Sequence, residues 1–421
     1  MSLKILTPLK ITTFQKNILL MFKGTVIAQV IGVIGSILLA KIYGSEAYGI
    51  FGVFISITGI LTIINTLQLD KSIVLQKSKF ESKKLMNSLF LITVIISLVL
   101  FVLYYFITVF FNLNLIKLNV LPYTILASII ISFNRIHESF FTFRKKFNPI
   151  SKAKIFTAFF NIIFQLLLFY KFKLMGLVYG NIISISLLSI YYFLKNKKHV
   201  SNINFQQLRK SLHLNNTIIK YLFPSTLINS LAINLMPILI VTFFSLKDSG
   251  VYFLSLKILA VPLFLISSSI SQVYYQKSSE MLQTSKEKLF DFTKKIVFTN
   301  LGIMLFFIVA INTIGIYFLE YIFDENWGNL KLFTFILSFL ILARSSFNPI
   351  SNIIIVLNKN HVSLLFNSYL LLVNLAAIYI GYTYNNIFQT IIILSLFGGL
   401  GYIILLLYFM QKLKELKKNH E

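Results

Sequence analysis

A lysine, Lys257, lies within an apolar run long enough to cross a bilayer. Gly250 to Glu280 reads GVYFLSLKILAVPLFLISSSISQVYYQKSSE, with Pro262, a serine cluster and Gln272 further along. A cation at that depth costs about 3 kcal/mol or more, so it is expected to face a water-filled cavity and neutralise an anionic group in transit. The competing reading is a lysine whose stem lies in lipid while its ammonium reaches the interface or a carboxylate. Two arginines pose the same question. Arg135 stands beside His137 and three residues before Glu138, a spacing that allows an ion pair on one helix, and Arg344 lies in another apolar run. Lys23 and Lys41 bracket the first run as interface anchors, with Lys23 placed to meet an anionic headgroup on entry. Gln29, Asn229, Asn234 and Gln272 are suited either to lining a cavity or to bonding between helices. Asp70 closes the second run beside Lys71 and reads as a solvated end charge, with a coupling or gating role as the alternative.

The elements that position these groups follow from composition. The chain is 57% hydrophobic and only 12% charged, against about a quarter charged in a soluble domain. Apolar runs of about 20 residues, separated by charged or turn-forming breaks, give twelve membrane spans. Their limits are 18–42, 47–69, 86–111, 119–142, 150–170, 174–194, 221–245, 250–275, 293–320, 330–356, 362–383 and 387–410. The first is too long for a cleaved signal peptide's apolar core. The absence of cysteine excludes disulfides, thiolate metal sites and cysteine nucleophiles. No cofactor or metal motif is present, and none is expected.

The net charge of +26 is distributed by side. With those at span ends counted with the adjoining loop, 30 of the 39 cations belong to the N-terminal arm, the C-terminal tail and the loops after even-numbered spans, six belong to the other loops and three lie deep within spans. That asymmetry predicts cytoplasmic termini, and it assigns the charge to topology and anionic lipid, with no nucleic-acid partner. The lysine-rich segment Asp70–Lys84 is expected to form a helix on the headgroups. The chain also repeats itself. AKIYGSEAYGIF (Ala40–Phe51) aligns with VTFFSLKDSGVY (Val241–Tyr252), placing Gly49 on Gly250 at an offset of 201 residues. The expected fold is therefore all-α and polytopic, with two parallel-repeat six-helix lobes, 1–194 and 221–421, joined by a basic linker, 195–220. Gly24, Ala28, Gly32, Ser36 and Ala40 form a small-residue stripe for close packing, and Pro237 and Pro262 favour bends.

The run Gly24–Ser78, with LLAKIYGSEAYGIFGVFISITGILTIINTLQLDKSIVLQKS at its heart, resembles the opening of the Wzx-type polysaccharide biosynthesis flippases, members of the multidrug/oligosaccharidyl-lipid/polysaccharide (MOP) exporter superfamily. LSLKILAVPLFLISSSISQVYYQKSSE is similar to that family's eighth span, and Trp327, Asn348–Ser351 and Val356–Asn358 to its tenth. The chain departs from the family at Gln68, Leu69 and Asp70, where an Arg, an aromatic and a Glu are common, at Gln76 for a proline, and at Lys257 for an arginine. The lysine keeps the charge but lacks the fork that suits phosphate oxygens. The resemblance implies a V-shaped monomer in the bacterial inner membrane that carries an undecaprenyl-diphosphate-linked oligosaccharide, an O-antigen or capsule unit, to the periplasmic leaflet. It also implies a polysaccharide polymerase and a chain-length regulator as partners.

Three other classes share features with this chain. An ion-coupled drug exporter of the same superfamily needs a committed carboxylate in the first lobe, and the first two spans offer only the terminal Asp70. A peptidoglycan-precursor (lipid II) flippase tends to more than twelve spans. A membrane polymerase or ligase acting on lipid-linked sugars needs a large external loop, and the longest candidates, around Asn112–Asn119 and Glu320–Leu330, are short. Neither a phosphate-binding G-x-x-x-x-G-K-[ST] loop nor H-E-x-x-H occurs, so no ATP-driven or catalytic machinery is expected.

Overall fold

The computed structural model describes residues 13–111, 120–199, 212, 214–323 and 325–418. Its elements are helices: α1 (Thr13–Thr66), α2 (Lys79–Phe111), α3 (Leu121–Phe143), α4 (Phe147–Phe172), α5 (Gly176–Asn196), α6 (Phe223–Phe243) and α7 (Leu246–Thr284). They continue as α8 (Lys286–Ala310), α9 (Ile316–Ile322), α10 (Leu330–Phe347), α11 (Ile353–Val356), α12 (Asn360–Thr383) and α13 (Ile387–Lys418). Eight helical stretches among the described residues are long and apolar enough to cross a membrane, and two of them, 23–66 and 147–199, have length for two passages each. Outside that set lie α3, which carries Arg135 and Glu138, and α7, which carries Lys257. The protein is a helical polytopic membrane protein.

The first two spans lie together in α1, whose helical backbone is interrupted at Gly44 (φ 76°, ψ 175°). A Cβ there would meet nothing within 4 Å. Its glycine is thus a conformational requirement, since an L-residue disfavours that backbone. The helices α6 and α7 continue through Pro237 and Pro262. The Ser249 hydroxyl donates to the carbonyl of Pro237 at 3.0 Å. Pro349 ends α10, and the chain passes through a 3-10 turn, Asn348–Ile350, into the short α11. Between α8 and α9 lies a π-turn, Ile311–Gly315, tied to α10 by Asn312 Nδ2 donating to Ser338 Oγ at 2.8 Å.

The segment Asp70–Lys84 is not one surface helix. Leu67 and Gln68 have φ of 49° and 59°, and a 3-10 turn covers Leu69–Ile73. The Ser78 hydroxyl then accepts from the Glu81 N–H at 3.1 Å, a capping contact at the start of α2.

The two helix groups of the chain's halves, α1–α5 and α6–α13, meet chiefly where α1 lies against α6 and α7. On the first arm of α1 the small-residue stripe is used in part. Gly24 abuts Ser151 of α4, while Gly32 faces open space. Between the groups the approach is closest at Gly49 and Gly250, the two glycines that the internal repeat aligns. A Cβ on Gly250 would lie 1.8 Å from the Ser45 carbonyl oxygen, and one on Gly49 would lie 2.1 Å from that of Leu246. The approach is reciprocal, each glycine meeting the carbonyl four residues before the other. Aromatic rings surround the contact: Phe51 meets Phe253 edge-on at 6.1 Å, and Tyr48 meets Trp327 edge-on at 5.7 Å.

Candidate functional site

Away from that seal, toward the lysine-rich face, the helix groups part around a cavity of about 570 Å³. Its walls follow helical periodicity. From α3 come Arg135, Glu138, Ser139 and Thr142, at offsets of 0, 3, 4 and 7; from α6 come Thr226, Asn229, Ser230, Ile233 and Asn234. Such spacings place side chains on one face of a helix. Lys154 of α4, with Asp70 and Lys71 of the 3-10 turn, adds the remaining charges, and Ile63 of α1 and Gln68 lie beside them.

The charge is lopsided. All five ionisable groups belong to the first half of the chain, and the second half contributes hydroxyls, amides and Ile233. Lys154 Nζ donates to Thr25 Oγ1 at 3.0 Å, and Tyr192 OH donates to Glu138 Oε1 at 2.8 Å. Among the described residues Arg135, Lys71 and Lys154 form no ion pair. The intrahelical Arg135–Glu138 ion pair allowed by their spacing is not made among the described residues, and Glu138 accepts from Tyr192 of α5 instead. Lys71 is pushed below the ordinary lysine range by crowding of the protein around it; Asp70 opposes that shift and the Arg135 charge reinforces it. Asp70 is only 7% exposed, and its Oδ1 has no hydrogen-bond partner among the described residues. It is not a solvated end charge, because the left-handed residues Leu67 and Gln68 turn it back into the cavity rim. A cavity whose three cations form no ion pair among the described residues is prepared for a ligand carrying anionic groups.

Of the residues singled out in the sequence, the cavity gathers Arg135, Asn229, Asn234 and Asp70. Asn234 Nδ2 donates within α6 to the Ser230 carbonyl and hydroxyl at 2.9 and 3.1 Å, leaving its carbonyl oxygen for a ligand. Lys257, Arg344, Lys23 and Gln29 do not line it. Lys257 lies one turn beyond Phe253 on the α7 stripe 246, 250, 253, 257, hence next to the seal, half-buried and without an ion pair among the described residues. Arg344 is set between helices of the second group, with Nε buried and unbonded among the described residues. Lys23 is exposed and Gln29 half-buried on the first arm of α1. The side chain of Gln272 lies outside the described residues. Glu138, Ser139, Lys71 and Lys154 were not candidates, although the α3 spacing 135, 138, 139, 142 was legible as one polar face.

The family model for polysaccharide biosynthesis proteins matches residues 38–331. No curated protein matches the sequence. Among solved structures the chain is similar to the lipid II flippase MurJ in an inward closed conformation, with TM-score 0.74, 16% identity and 95% and 90% of the two chains covered. It is also similar to an inward-facing multidrug resistance MATE family transporter of the MOP superfamily, with TM-score 0.66, 17% identity and 94% and 96% covered. A MOP superfamily transporter from Pyrococcus furiosus gives TM-score 0.59 and 16% identity, with 96% of each chain covered. At these identities the neighbours establish the fold, and the family match over most of the chain establishes descent: the chain belongs to the polysaccharide biosynthesis protein family.

Proposed function

We propose that the protein is a flippase that carries an undecaprenyl-diphosphate-linked oligosaccharide from the cytoplasmic to the periplasmic leaflet by alternating access. In this reading residues 1–194 and 221–421 are the moving lobes, 195–220 is a cytoplasmic linker, and the chain works as a monomer in the inner membrane with both termini cytoplasmic. The observation that carries the reading is the cavity, open toward the lysine-rich face, in which Arg135, Lys71 and Lys154 outnumber the carboxylates Asp70 and Glu138 and form no ion pair among the described residues. A diphosphate fits such a cluster, and the amides of Asn229 and Asn234 with the Asp70 carboxylate suit sugar hydroxyls. Lys257, next to the seal, would meet the headgroup as the lobes exchange access. A polymerase and a chain-length regulator would take the product.

The test is complementation of a flippase-deficient host supplied with matched glycan pathways. Wild type should restore surface polysaccharide, Arg135→Ala should abolish it at normal membrane abundance, and Arg135→Lys should retain part of it. Efflux of cationic drugs with no glycan display would instead support an ion-coupled exporter. One observation favours that second reading: the first-lobe wall of the cavity does hold carboxylates, Asp70 and Glu138.

A further inference from the structure

A second basic cluster lies on the lysine-rich face of the α1–α5 group, at His199. Five groups from three parts of the chain converge there. Lys79 and Lys83 stand one turn apart on α2, Arg144 and Lys146 follow α3, and His199 lies in the 3-10 turn Lys197–His199 after α5. The four cations all act electrostatically on the imidazole. Arg144 Nη1 lies 2.7 Å from His199 Nε2. Burial first, and then those four charges, push His199 below its ordinary range. The neutral ring accordingly accepts from the guanidinium and orients it. Phe140 forms a floor: its ring centroid is 5.4 Å from the imidazole and 5.8 Å from the Arg144 guanidinium carbon. No ion pair among the described residues neutralises any of the four cations, and the nearest acidic residue in sequence on α2, Glu81, is solvent-exposed.

Like charges held together in this way repel unless an anion joins them. The surroundings say which anion. Leu75 is 74% exposed and Phe80 63% exposed, and Lys84 Nζ sits 4.1 Å above the Phe80 ring. Apolar side chains bare beside a cation cluster match the boundary between acyl chains and headgroups, where soluble anions gain nothing from them.

We propose that Lys79, Lys83, Arg144 and Lys146 bind the phosphate of an anionic phospholipid of the bilayer, with His199 positioning Arg144 and with Leu75 and Phe80 against the acyl chains. The site is separate from the transport cavity, and its occupancy is read without any transport assay. The test is native mass spectrometry of the full-length chain in detergent, titrated with phosphatidylglycerol, with phosphatidylcholine, and with inorganic phosphate as competitor. Wild type should retain phosphatidylglycerol in preference to phosphatidylcholine. Lys79→Gln with Lys83→Gln should weaken retention about thirty-fold, at roughly fivefold per cation near a surface. A charge-matched control on the same face of the membrane, Lys288→Gln with Lys294→Gln, should leave it unchanged. Arg144→Lys keeps the charge and loses the imidazole contact, so an intermediate loss is expected. Equal loss in the control would reduce the effect to diffuse attraction, and displacement of the lipid by millimolar phosphate would make this a soluble-anion site. Either result overturns the proposal, as does unaltered retention in the Lys79/Lys83 variant.

Discussion

Replacing Gly250 by alanine should force the seal between the helix groups open. The added Cβ would lie 1.8 Å from the Ser45 carbonyl oxygen and 2.9 Å from the Gly49 nitrogen, both backbone atoms that no rotamer change can move aside. Reaching ordinary contact near 3.4 Å requires α1 and α7 to separate by about 1.6 Å at this level. Overpacking of this kind costs about 1–3 kcal/mol. If the opposite state lacks this contact, the whole cost falls on the closed-seal state, so the equilibrium shifts toward the opposite state by about 5- to 150-fold. The chain has no cysteine, so a single introduced thiol reports without background. Ser56, 2% exposed and one turn past the Gly52–Phe253 contact, is the reporter position. Maleimide labelling of Ser56→Cys from the side opposite the lysine-rich face should be slow in the parent and faster by a factor in that range with Gly250→Ala. Unchanged labelling in a folded, abundant protein would refute the claim that the paired glycines form the seal.

Three further outcomes are expected. Lys257→Ala should remove glycan display at normal abundance whereas Lys257→Arg keeps it; equal activity of the alanine variant would leave Lys257 with a snorkelling role only. Asn300, fully buried, donates from Nδ2 to the Ser345 carbonyl at 2.7 Å, and Asn300→Leu should cost about 0.5–2 kcal/mol by leaving that acceptor bare, read as a lower unfolding temperature in detergent. His199 has its protonation depressed in the folded state, so the unfolded chain binds the extra proton first. The stabilisation is complete above the ordinary histidine value near 6.5 and is lost as pH falls below it. Unfolding temperature measured from pH 8 to pH 5 should fall less steeply in His199→Gln, and identical slopes would exclude this histidine as the source.

What the sequence determined by itself was the solvent of the fold and the order of its passages. Apolar length is a local property that a bilayer reads directly, and every one of the twelve proposed spans overlaps a helix. The alignment of Gly49 with Gly250 was legible as well, although not that the two glycines touch. Tertiary structure alone decided which polar side chains share a space. Arg135 and Asn229 lie 94 positions apart and meet because two helix faces diverge around one cavity. Lys154, counted in the sequence as a loop lysine, joins them because α4 packs along α1. Lys257, the most conspicuous intramembrane charge, lies next to the seal and not in the cavity wall, since its place depends on how α7 is rotated against α1. Glu138, whose spacing allowed a pair with Arg135 on its own helix, accepts instead from Tyr192, 54 residues away. Charge and periodicity are written along one helix, whereas the partner of a buried polar group is set by the rotation and separation of neighbouring helices, which no single segment encodes.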